Sequence, residues 1–126
     1  MRLVDSSAWI EFLSGPPFEH VIAREFPSQE DWLVPTIVQF ELAKWYRREG
    51  RPKKLDEVMA FTTFCRVVEL DTATSLLAAG LSVKHRLAAA DAIIYATAVA
   101  YGADLLTCDR HFEGLPGIVF VAKPAA

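Results

Sequence analysis

The sequence is poor in the residues from which several common kinds of site are made. It holds two cysteines, Cys65 and Cys108, and three histidines, His20, His85 and His111, in 126 residues. The thiols stand beside apolar neighbours, in Phe64-Cys65 and Thr107-Cys108, and share no metal-ligand spacing, which argues against a zinc site. Buried, reduced thiols of a cytoplasmic protein are expected instead. The histidines are scattered, and none is partnered with a nucleophile. No apolar run is long enough for a membrane: the longest, Leu87 to Tyr101, is broken by Asp91 and too short to span a bilayer. Met-Arg-Leu-Val-Asp reaches an acid at once, unlike an export signal. Internal repeats, low-complexity tracts and linkers are missing as well, so the expectation is one domain over residues 1–126. Nor is there an overall excess of positive charge. The net charge of −3 is not that of a simple nucleic-acid coat. Yet Lys44, Arg47, Arg48, Arg51, Lys53 and Lys54 gather six of the thirteen basic residues in one short stretch.

What is present is apolar. A hydrophobic fraction of 52% supports a real core and points to some apolar surface covered by a partner. Leu3-Val4 reads as a first strand ending at Asp5. Ser6 or Ser7 then caps a helix through Leu13, which Gly15-Pro16-Pro17 ends. A second helix is expected from Phe18 to about Phe26, and a strand at Trp32-Leu33-Val34. Pro35-Thr36 opens a helix to Gly50, and Pro52 starts another through about Cys65. Val67 to Leu70 reads as a strand. Asp71 or Thr72 caps a helix to about His85, and a further helix runs from Ala89 to Tyr101, closed by Gly102. Leu105-Leu106-Thr107 and Ile118 to Val121 are the last strands. Short, continuous apolar strands alternating with helices predict an α/β fold: a central parallel sheet of four or five strands with helices on both faces.

Four acids stand out against this frame. Ligands of a parallel α/β sheet bind beyond the carboxyl ends of the strands. Asp5 ends the first strand and Asp109 follows the strand that ends near Thr107, so both belong on that rim. Each also suits a cap or a turn. Glu41 shares a helical face with Ile37 and Trp45 and interrupts their apolar stripe, although Lys44 at i+3 offers it a surface partner. Asp91 sits in a helix that is apolar nearly all round and therefore central. A carboxylate there is costly unless a cation or hydrogen bonds compensate. Acids converging on one pocket repel each other, and a divalent cation removes that repulsion. Oxygen ligands suit Mg2+, with Mn2+ as a plausible substitute, and such a centre suits phosphodiester hydrolysis.

The combination Leu3-Val4-Asp5-Ser6-Ser7, Glu41 in its helix, Ala89-Ala90-Asp91-Ala92-Ile93-Ile94-Tyr95-Ala96-Thr97-Ala98 and Leu105-Leu106-Thr107-Cys108-Asp109-Arg110-His111-Phe112 resembles the PIN-domain ribonucleases, specifically the VapC-type toxins of toxin–antitoxin pairs. The match runs over almost the whole chain in the right order and spacing. The resemblance implies a metal-dependent endoribonuclease with Asp5, Glu41, Asp91 and Asp109 as its catalytic and metal-holding acids. It aligns Ser6 and Thr107 with the family's small hydroxyl residues. It further implies an RNA substrate, a VapB-type antitoxin partner, a homodimer and no membrane association. Some members carry another acid shortly after the position of Asp109. His111 stands near that place here, which puts the occupancy of a second metal site in question; as a residue, a loop histidine packed near Phe112 is expected. The basic stretch from Lys44 to Lys54 is a candidate guide for RNA.

Other families with an acid after the first strand fit less well. A haloacid-dehalogenase-like phosphatase needs a second Asp where Ser7 stands. A receiver domain needs acids before Asp5 and a strand-end lysine. The alternative from another class is a catalytically silent PIN-like module that binds RNA or protein, and metal dependence of RNA cleavage separates it from the enzyme.

Overall fold

Six side chains of the three central strands, Leu3, Val4, Leu33, Val34, Leu105 and Leu106, are fully buried, and the architecture follows from covering them on both faces. Each contributes roughly 1.5–3 kcal/mol by leaving water. The structure, a computed structural model, describes residues 1–16 and 19–123. Its sheet comprises β1 (Arg2–Val4), β2 (Trp32–Pro35), β3 (Arg66–Val68), β4 (Asp104–Thr107) and β5 (Ile118–Phe120). All neighbouring pairs are parallel, in the order β3-β2-β1-β4-β5. The helices are α1 (Ser6–Leu13), α2 (Glu19–Ile22), α3 (Thr36–Arg48), α4 (Pro52–Thr62), α5 (Thr72–His85) and α6 (Ala89–Ala100).

From β1 the chain winds outward through β2 to β3, then crosses back through α5 and α6 to β4 on the other side of β1. Right-handed crossovers place connections that run in opposite directions on opposite faces of the sheet. The direction of winding therefore reverses between β1 and β4, and a crevice opens there beyond the carboxyl ends of the strands. The fold found is the expected parallel sheet of four or five strands with helices on both faces, and it has five.

Several boundaries differ from expectation. The second helix is four residues of α2 followed by a 3-10 turn, Ala23–Glu25; Pro17 and Phe18, expected at the helix junction, lie outside the described residues. The fourth helix ends at Thr62 and not near Cys65, because the Thr62 hydroxyl turns back to the Met59 carbonyl at 2.7 Å. β3 starts one residue earlier than expected and omits Glu69 and Leu70. It is an edge strand, where pairing with β2 and not burial sets the limits, and Arg66 and Val67 remain exposed. Asp71 caps α5, accepting from the Thr74 amide at 2.7 Å. Gly102, at φ 65, terminates α6 in the left-handed conformation that glycine adopts without strain. Among the described residues no helix is long and apolar enough to cross a membrane.

Candidate active site

The register of the two central strands begins the site. Val4 pairs with Leu106, and the Asp5 amide donates to the Leu106 carbonyl at 2.9 Å. Asp5 thus leaves β1 beside Thr107, where β4 ends. Asp5 also stands at the N-cap of α1, its carbonyl accepting from the amides of Ala8 and Trp9 at 3.0 and 3.1 Å. Its side chain makes no capping bond. Instead Oδ2 accepts from the Thr107 hydroxyl at 2.8 Å and from the Ser7 hydroxyl at 2.9 Å.

The expectation that Ser6 or Ser7 caps α1 is therefore corrected. Asp5 takes the cap position, and both serine hydroxyls turn to acids. Ser6 Oγ donates to Glu41 Oε1 at 2.9 Å, joining the start of α1 to α3. Ser7 Oγ accepts from the Cys108 amide at 3.1 Å, and Thr107 Oγ1 accepts from the Asp109 amide at 2.9 Å. Two hydroxyls thereby tie α1 to the segment after β4 and hold Asp5 in one orientation. The role of Ser7 escaped the sequence reading, because the partners that tie it to the segment after β4, Thr107 and Cys108, lie about a hundred residues away.

The other acids approach from separate elements. Asp91 is the third residue of α6, a helix whose Ala92 and Ile94 to Ala98 are all buried. That is the central helix its composition predicted. Asp109 caps the 3-10 turn Arg110–Phe112, its Oδ1 accepting from the His111 amide at 2.9 Å. The His111 ring does not pack as an ordinary loop side chain. Its Nδ1 lies 2.9 Å from Asp109 Oδ1 and 3.7 Å from Asp91 Oδ2, while Phe112 alone turns into the core.

All four expected acids meet at the β1–β4 crevice, and their electrostatics record it. Burial raises the pKa of Asp5, which is 3% exposed, against the hydrogen bonds from Thr107 and Ser7; Asp109 raises it further. Burial also raises Glu41, against the Ser6 bond, and Asp5 and Asp91 add to the shift while Lys44 opposes it. Asp91 is pushed up to about 6, by burial first and then by Asp109 and Asp5, with His111 opposing. Among the described residues no lysine or arginine forms an ion pair with any of the four. Arg110 and Lys123 line a nearby cleft of about 370 Å3, but they pair with Glu113 and Glu11 at 3.1 and 3.4 Å.

Clustered carboxylates, with Asp5, Glu41 and Asp91 raised in part by their acidic neighbours and no arginine or lysine ion pair among the described residues, are a donor set that a hard divalent cation fits. The two thiols take no part. Burial pushes both Cys65 and Cys108 up to about 11, so neither offers a thiolate near neutral pH.

Comparison with known proteins places the fold. The fold is similar to that of a toxin–antitoxin complex chain from Klebsiella pneumoniae, at TM-score 0.81 and 21% identity over 94% of this chain and 96% of that one. It is similar to a chain of DNA-bound VapBC from Salmonella typhimurium, at TM-score 0.74 and 23% identity over 96% of each. It is also similar to VapC20 of Mycobacterium tuberculosis, a sarcin–ricin loop cleaving toxin, at TM-score 0.73 and 18% identity over 96% of this chain and 98% of that one. At these identities the likeness concerns the fold. A search of curated proteins gives no match. The PIN domain family model matches residues 2–118, from the first strand to the last. The match takes in all four strands that precede the last and every helix between them: the chain belongs to the PIN domain family.

Proposed function

We propose that the protein is a VapC-type toxin of a type II toxin–antitoxin pair, a divalent-metal-dependent endoribonuclease whose single domain spans residues 1–126. One observation carries the reading: Asp5, Glu41, Asp91 and Asp109 converge at the sheet crevice with no arginine or lysine paired to them. These four acids hold Mg2+ or Mn2+. The bound cation neutralises the cluster and supplies the Lewis acidity that makes water a nucleophile at neutral pH.

The chain's own residues supply position and proton transfer. Thr107 and Ser7 fix Asp5, and Ser6 fixes Glu41, so neither carboxylate has to reorient when substrate arrives. Asp5 or Asp91 accepts the proton of the attacking water, each standing at the crevice where that water would be held. The histidines form no acid–base pair of the kind needed to activate the RNA's own 2′-hydroxyl. Cleavage therefore leaves a 5′-phosphate and a 3′-hydroxyl.

The test is RNA cleavage by the purified protein with Mg2+ or Mn2+ and with EDTA, followed by mass spectrometry of the new ends. Cyclic 2′,3′-phosphate ends or full activity in EDTA overturns the mechanism. RNA binding without cleavage returns the catalytically silent module.

The remaining partners follow from the same reading: a VapB-type antitoxin protein and a second copy of the chain, in the cytoplasm. The exposed apolar face of α5, where Leu76 and Val83 are 70% and 84% exposed, supports a covered surface. Light scattering of the isolated protein, and a growth defect on expression without antitoxin, test them. A monomer that leaves growth unaffected counts against both.

A further inference from the structure

His111 lies two residues beyond Asp109 on the 3-10 turn Arg110–Phe112, and its ring reaches back over the acids. Nδ1 stands 2.9 Å from Asp109 Oδ1 and 3.7 Å from Asp91 Oδ2. Among the described residues, Asp91, Asp109 and His111 form the cluster whose three potential ligand atoms all lie within 4.8 Å of one another. Neighbouring ligands around one octahedral ion with bonds of 2.0–2.2 Å are about 3 Å apart, and opposite ones are about 4.2 Å apart. The two His111 separations, 2.9 and 3.7 Å, fall close to that range, and the two acids lie within 4.8 Å of each other, a gap that a bound ion would draw in slightly.

The placement has a local cause. The His111 amide bonds the same Asp109 oxygen at 2.9 Å, so the turn that fixes Asp109 also fixes the root of the imidazole. The side chain is otherwise 77% exposed. Packing therefore does little to hold the ring in this rotamer, and its contacts with the two acids are what keep it there. Nδ1 is the atom turned inward, its proton facing the acids, and a cation among them would take the place of that proton and meet the imidazole lone pair.

Resting on the metal-dependent reading above, we infer that His111 Nδ1 is a direct ligand to the ion held by Asp91 and Asp109. The centre is then a mixed nitrogen–oxygen site and not an all-carboxylate one. A nitrogen donor favours Mn2+ over Mg2+, which keeps oxygen ligands and gives up its waters reluctantly.

Pulsed electron paramagnetic resonance of the Mn2+-loaded full chain reads the ligand directly. The expected result is 14N coupling from a bound imidazole in the wild type, lost in His111→Ala and in His111→Asp. Calorimetric competition between Mn2+ and Mg2+ is expected to show the Mn2+ preference falling about tenfold or more in His111→Asp, the size of effect typical of residues that support a metal. Because His111 is exposed, neither substitution removes core packing. Bound Mn2+ without 14N coupling in the wild type overturns the inference and leaves His111 a counter-ion of Asp109. Coupling that persists in His111→Ala overturns it too, since the nitrogen then comes from elsewhere. No Mn2+ binding at all overturns it together with the metal reading, which separates the two failures.

Discussion

Asp104 begins β4 and Asp109 follows its end, so one strand presents an acid to each rim of the sheet. At the amino-terminal rim Asp104 receives two bonds from the Arg2 guanidinium, at 2.8 and 3.0 Å. Arg2 also bonds the Glu25 carbonyl at 2.7 Å and its carboxylate at 3.0 Å. Asp104, Arg2 and Glu25 are thus matched by charges of the opposite sign. At the carboxyl-terminal rim Asp109 sits with Asp91, Asp5 and Glu41, and among the described residues the basic side chain within ion-pair distance of them is the His111 imidazole. The difference teaches which acids serve the fold and which are kept for a ligand. The arginine side matches its carboxylates with positive charge, whereas at the crevice Asp5 and Glu41 are held by hydroxyls that orient them without neutralising them.

The largest expected effect comes from removing charge at the crevice. Asp91→Asn keeps the side-chain volume and deletes a ligand, and RNase activity should fall by at least about 100-fold. Initial rates at saturating Mg2+ measure it. Wild-type-like cleavage by the variant refutes the role given to Asp91.

The same substitution separates the rims by pH. Asp91 titrates at about 6 in the fold against 3.8 for a free side chain. Its protonated form is the favoured one in the folded state. The stability it contributes is thus fully present below about pH 4 and lost as pH rises through about 6. The span is on the order of 1–3 kcal/mol. In EDTA, wild-type stability should fall relative to that of Asp91→Asn between pH 4 and pH 7, and Mn2+ should restore it for the wild type alone. Urea unfolding across that range gives the answer, and parallel curves for the two proteins contradict it.

At the opposite rim the expectation inverts. Arg2→Ala leaves Asp104 and Glu25 partly buried without their donor, at a cost of about 1–3 kcal/mol. The melting temperature should drop while kcat holds at temperatures where the variant is folded. A loss of kcat in folded Arg2→Ala would mean that the rims are coupled.

Much of this contrast was legible in the chain itself. Asp91 interrupts a helix otherwise made for burial, Glu41 breaks an apolar stripe, and Asp5 and Asp109 follow the strands that flank the crevice. Asp104 follows Gly102-Ala103 at the start of the same strand, on the far rim, where Arg2 pairs with it. The unread part is what depends on register. Ser7 and Thr107 come within 3.3 Å of each other only because Val4 pairs with Leu106. No local pattern encodes such a meeting. His111 escaped for a related reason: a histidine in a turn looks the same whether its ring faces water or acids, and only the Asp109 cap turns it inward. The limits of β3 were obscure because an exposed edge strand carries little hydrophobic signal.

The smallest effect concerns how a polyanion approaches an acidic crevice. Lys44 and Arg48 follow Glu41 by three and seven residues and so continue its face of α3 away from the acids. Phe40, 55% exposed, adjoins them in a shallow groove of about 480 Å3 with Ala43, Lys44, Arg47 and Arg48. Cations spaced along a helix track phosphates, and an exposed aromatic offers a face for an unpaired base. Removing Lys44 and Arg48 together should raise KM for RNA several-fold and leave kcat unchanged, because neither side chain touches the reacting centre. It should also lower the slope of log affinity against log salt by about 1.4, at about 0.7 for each lost contact with a single strand. Phe40→Ala, by contrast, should weaken binding without changing that slope, since stacking releases no counter-ions. A salt slope unchanged in the double variant would mean that the RNA enters over another part of the rim, with the Arg110 and Lys123 cleft beside Asp109 as the next surface to test.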